Sequence, residues 1–170
     1  MTKRLLPLLA AVVVALLAAG SGATGKTAAP PAESSPDLWA TVNVCDTTGH
    51  PDTIGIRGSM PGLGDLRSSL RMRFRVQYKA PDGRWRDAGS TADSGWQNVG
   101  RSVSERREGG QNFEFDPPAG ETLTLRGAVR FKWVRKHKVV QRARRVTELG
   151  HDSTAGADPP GYTASFCEIS

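Results

Sequence analysis

Nine residues carry the clearest pattern in the chain. Across Leu70–Tyr78, the apolar side chains Leu70, Met72, Phe74, Val76 and Tyr78 alternate with Arg71, Arg73, Arg75 and Gln77. Strict period two predicts a strand with one face in the core and one in solvent. Pro81-Asp82-Gly83 supplies a turn, and Trp85 opens a short returning strand. A second alternation runs over Thr122–Val134. Leu123, Leu125, Gly127, Val129, Phe131 and Trp133 share one side, and Arg126, Arg130 and Lys132 share the other. Arg135–Lys138 reads as a polar turn, with Val139–Thr147 as the hairpin partner.

Weaker alternations add strands over Leu38–Cys45, Thr53–Met60, Gln111–Phe115 and Tyr162–Ile169. Leu38, Ala40, Val42 and Val44 fall on one side of the first, and Ile54, Ile56 and Met60 on one side of the second. Trp96 marks a further strand candidate, while Arg101–Gly110 reads as a loop. No segment sustains a 3.6-residue period between caps, so helix is a minor component. Short strands separated by Gly, Pro and Asp turns predict an all-β, antiparallel sandwich of about seven to nine strands.

The N-terminus has another character. Lys3 and Arg4 precede the apolar run Leu5–Ala19, interrupted only by Pro7. Fifteen residues fall short of the roughly 20 that span a bilayer as a helix, but suit a signal-peptide core. Small residues follow, giving an expected cleavage after Ala23. No cysteine lies there to carry a lipid. Residues 24–37 are rich in Ala, Pro, Ser and Thr and read as a flexible spacer. The domain organisation is therefore a signal peptide (1–23), a linker (24–37) and one β-domain (38–170), released as a soluble extracellular protein. A retained membrane anchor is the alternative.

The chain has two cysteines, Cys45 and Cys167, in the first and last predicted strands. In an exported protein they are expected to pair. Only Glu168, Ile169 and Ser170 follow the second, so no further strand fits after it. The expected bond closes the first strand onto the last instead of pinning two sheets across the core.

Charge adds one candidate function. The 23 basic and 17 acidic residues give a net charge of +6, which becomes +4 when residues 1–23 are removed. Most of the basic residues fall in the regions 71–86 and 126–145. The outward rows Arg71, Arg73, Arg75 and Arg126, Arg130, Lys132 are a candidate polyanion-binding face. In an exported protein the partner is a protein or an anionic envelope polymer, not nucleic acid. The bland alternative is that these are the solvated positions of ordinary strands. Of the tryptophans, Trp85 and Trp133 have inward phase and are expected in the core, whereas Trp96 is a candidate surface aromatic.

Catalytic and cofactor chemistry is hard to find in the sequence. His50, His137 and His151 lack the spacing of a helical zinc pair, and both cysteines are committed, so no metal or other cofactor is expected. No Gly-x-Ser-x-Gly occurs, and Ser59, Ser94 and Ser102 read as turn residues. A secreted hydrolase using His50 or His151 stays open, because triads are recognised by geometry.

Two stretches carry a family resemblance. Phe74-x-Val76-x-Tyr78 with Trp85 after a turn, and Pro118-Ala-Gly120-Glu-Thr-Leu123-Thr-Leu125, resemble the third strand and the loop into the sixth strand of fibronectin type III domains. A Tyr usually stands in that family where this chain has Leu123. The whole chain also resembles small exported proteins of high-GC Gram-positive bacteria. The resemblance implies an immunoglobulin-like sandwich acting as a non-catalytic binding or envelope-associated module. The cysteine positions depart from the immunoglobulin pattern, and Tyr162 stands five residues before Cys167, where a tyrosine corner has two.

Overall fold

The computed structural model describes residues 32–170, so the predicted signal peptide and most of the predicted spacer lie outside the described residues. After a 3₁₀ turn at Ala32–Ser34 come nine strands: β1 (Trp39–Thr47), β2 (His50–Pro61), β3 (Ser68–Lys79), β4 (Trp85–Asp87), β5 (Gln97–Arg101), β6 (Arg106–Glu114), β7 (Leu123–Arg135), β8 (Lys138–Val146) and β9 (Cys167–Ile169). Every strand pairing is antiparallel, and the described residues contain no α-helix.

The strands form two sheets. One has the order β1-β2-β6. The other has the order β4-β3-β7-β8, with β5 sharing the β4 edge of β3 and β9 sharing the β8 edge of β7. This order, with β1, β2 and β6 facing the rest, fits the immunoglobulin-like expectation. The strands read from period two behave as their pattern requires. Leu70, Met72, Phe74 and Val76 of β3 are buried with Leu125, Val129, Phe131 and Trp133 of β7, and they face Val42, Ile54, Ile56 and Met60 of the other sheet. Trp133 also joins the sheets through its indole, donating from Nε1 to the Pro61 carbonyl at 2.8 Å. At Gly127 the sheets approach so closely that a Cβ would lie 2.8 Å from Ile56 and 2.6 Å from Thr147.

The disulfide joins Cys45 to Cys167, with Cα atoms 5.4 Å apart. It links the first strand to the last, as expected. It is nevertheless a bond between sheets, because β9 pairs with β7 while β1 pairs with β2. Alternation alone does not assign a strand to a sheet, so this part of the expectation is corrected.

Other expectations change too. The segment 106–110 is strand, not loop. Gly109 and Gly110 remove the alternation that would have marked it, and at Gly109 a Cβ would sit 2.8 Å from Val99. Trp85 is not core. The tight turn sets it opposite Lys79, on the outward side. Ser59 is a buried strand residue, whereas Ser94 and Ser102 do serve loops, their Oγ atoms accepting from the Phe74 and Leu63 amides. Of the predicted Tyr162–Ile169 strand, only Cys167–Ile169 forms one. The preceding residues run along β1, where Val42 and Ala164 exchange both backbone hydrogen bonds at 3.0 Å and so cover that sheet edge. Thr41 and Asn43 are buried beneath this segment, bonded to Thr163 Oγ1 and the Gly156 carbonyl. At the other end of the predicted spacer, Ala32 packs into the core and Arg145 holds the turn through the Glu33 and Leu38 carbonyls.

Candidate anion-binding face

Register places the cations. Arg71 of β3 lies opposite Lys132 of β7, which lies opposite Arg142 of β8. Two residues along, Arg73, Arg130 and Arg144 form a second cross-strand row. Neighbouring strands are about 4.8 Å apart and alternate residues along a strand about 6.7 Å, so six cations share a small patch. Like charges directly opposite one another in a sheet are destabilising.

A bulge in β8 orients two of these six cations. Val134 pairs with Val139, but Trp133 pairs with Gln141, leaving Val140 unpaired. If Val140 instead paired with Trp133 in a regular ladder, Gln141 would oppose Lys132 and Ala143 would oppose Arg130, turning Arg142 and Arg144 toward the core. The sequence places both arginines in a basic region. It gives no sign of the bulge that turns them outward.

The carboxylates are unevenly shared. Asp93, with a side chain 9% exposed, accepts from Arg73 Nε at 2.7 Å and lies 3.0 Å from Arg75 Nε. The hydrogen bonds from Arg73 hold its carboxyl below the usual carboxylate range, and the Gly95 amide and the charge on Arg75 act in the same direction. The same contact raises the pKa of Arg73. Asp87 pairs with Arg75 Nη1 at 2.9 Å. Two of the six predicted face residues, Arg73 and Arg75, are thus committed to internal ion pairs. The other four are not: among the described residues no carboxylate pairs with Arg71, Arg126, Arg130 or Lys132, nor with Arg142 or Arg144.

Two tryptophans floor the patch. Lys132 Nζ lies 3.8 Å from the Trp96 ring centroid, and the Arg126 guanidinium lies 4.3 Å from that of Trp85. Trp96 is 37% exposed. Desolvation pushes the Lys132 ammonium pKa down, and the charges of Arg71, Arg142 and Arg73 push it further. Arg126 is lowered by burial and by Arg144. Burial is the larger cause of both shifts, and repulsion from neighbouring cations adds to it. A hollow of about 360 Å³ opens beside Trp96 between Arg130, Arg142 and Arg144, with Glu33 as its acidic neighbour.

The histidines lie elsewhere. His50 Nδ1 is 3.0 Å from Asp158 Oδ2, which also accepts from Thr47 Oγ1. Hydrogen bonds from Thr47 and then His50 lower the Asp158 pKa. His151 stacks on Trp39 with ring centroids 4.4 Å apart, and its Nε2 is 3.6 Å from Glu148. The hydroxyl beside the Asp158–His50 pair is that of Thr47, which donates to the carboxylate. His137 sits in the β7–β8 turn. Among the described residues there is no group of three or more His, Cys, Asp or Glu placed to hold a metal ion. No described helix is long and apolar enough to cross a membrane.

Comparison of the chain with protein-family models, with curated proteins and with solved structures returns no match.

Proposed function

We propose that the chain is an exported, non-catalytic binding module of immunoglobulin-like type whose larger sheet binds an anionic polymer, such as one found in a cell envelope. One observation carries this reading. Arg71, Arg130, Lys132, Arg142 and Arg144 are packed side by side on a sheet without counter-charges, although Asp87 and Asp93 neutralise their immediate neighbours. Repulsion among them costs stability in the free protein and is relieved when an anion binds. The strand order supports the immunoglobulin-like assignment, and the disulfide together with the apolar run Leu5–Ala19 supports export.

Heparin–agarose at neutral pH tests the reading. The double variant Arg130→Ser/Arg142→Ser should elute at clearly lower salt than Arg84→Ser/Arg107→Ser, which removes the same charge from exposed sites off the patch. Equal elution of the two would reduce the interaction to net charge and reject the face.

A further inference from the structure

The patch ends at a second feature of different shape. Where β3 begins, β5 ends and β7 turns into β8, an open hollow of about 700 Å³ is lined by Arg67, Arg71, Arg101, Lys136 and His137. Ser69 and Asn98 add neutral hydrogen-bonding groups, and Leu66, 68% exposed, and Val134 add an apolar rim. No carboxylate lines it. Asp65, in the same loop as Leu66, is already committed: it accepts from the amides of Arg67 and Ser68 at 2.8 Å each and pairs with Arg135. Arg71 Nε, at the hollow's inner side, is buried without a hydrogen-bond partner.

The turn that supplies Lys136 and His137 is itself unusual. Both residues have positive φ, 46° and 64°, as a two-residue type I′ hairpin turn requires. Asn-Gly or Asp-Gly would adopt these angles with less strain. The chain instead holds a cation and an imidazole there, at the mouth of a hollow already rich in cations.

We propose that this hollow is a site for the phosphate monoester of a small soluble organic molecule. Its size lies within the range of about 300–1,000 Å³ typical of small-molecule sites, well beyond one isolated ion. Three guanidiniums offer paired donors that match tetrahedral oxyanions, and Lys136 adds a point charge. Four permanent cations call for more than one negative charge, and a phosphate monoester carries about −1.5 to −2 near neutral pH. Leu66 and Val134 are placed to contact the organic part. The site shares Arg71 alone with the polymer face and stands or falls separately from it.

Calorimetric titration of the purified, disulfide-bonded full chain with glycerol 3-phosphate tests the site. Lys136→Gly suits the turn, so it should keep or raise thermal stability while weakening glycerol 3-phosphate at least about fivefold, the loss of one charge-assisted contact. Arg130→Ser/Arg142→Ser should leave this affinity unchanged while weakening heparin binding. Unaltered glycerol 3-phosphate affinity in a folded Lys136→Gly variant would overturn the proposal, as would equal affinity for glycerol 3-sulfate. If heparin binding proves insensitive to Arg130 and Arg142 while Lys136→Gly still loses glycerol 3-phosphate, the face fails and the hollow survives.

Discussion

Asp93 decides how positive the larger sheet is. Among the described residues it is the one nearly buried carboxylate that touches two of the outward arginines, and its position owes nothing to strand alternation. It lies in the segment between β4 and β5 and meets β3 through a bridge with Arg75. The sequence shows Arg71, Arg73 and Arg75 as equals. The fold makes Arg71 free and commits the other two, a sorting that depends on where a connecting loop lays its side chain. Asp93→Asn should therefore act in two directions. Losing hydrogen bonds to charged groups should cost about 1–3 kcal/mol of stability, read by denaturant unfolding. The same change should raise the salt needed to elute the protein from heparin, because Arg73 loses its carboxylate partner and Arg75 loses one of two. The sign of the pH effect follows from the lowered carboxyl pKa. The ionised form is favoured in the fold, so this stabilisation is present above the unfolded value of about 3.9 and is lost as pH falls through that value toward the folded one. The variant should show a shallower acid loss of stability than the parent.

At the scale of elements, legibility tracked how each strand earns its place. β3 and β7 lie in the middle of their sheet, bury one face fully, and declare it in strict alternation. β6 lies at an edge and uses glycines to let neighbouring side chains close in, so its first half reads as loop. β4 was visible, but its facing was not, because the turn before it sets the register by one residue and moves Trp85 from core to surface. The candidate site suffered the same ambiguity. Arg126, Arg130 and Lys132 follow from β7 alone, whereas Arg142 and Arg144 depend on the unpaired Val140. The bulge position should therefore tolerate both substitution and deletion. Val140 is 49% exposed, so Val140→Thr should change stability by no more than about 0.5 kcal/mol. Deleting Val140 removes the bulge and leaves Gln141 opposite Trp133 and Arg142 opposite Lys132, so both arginines should stay outward and the melting temperature, followed by circular dichroism, should stay close to the parent's.

At the scale of the molecule, the bond between Cys45 and Cys167 spans 122 positions and ties one sheet to the other. Tension applied to the chain on either side of the pair passes through two sulfur atoms, not through the backbone hydrogen bonds of nine strands. Pulled from its ends in a force spectrometer, the oxidised protein should give no extension from the residues between the cysteines. With a reductant present, unfolding should release about 400 Å of hidden length, the reach of 122 residues at roughly 3.4 Å each. Release of that length without reduction would show that the bond does not carry the load. A module fixed by one end and holding a polymer by its larger sheet would then transmit strain as a covalent shackle, its binding face intact under load that would peel an uncrosslinked sandwich apart.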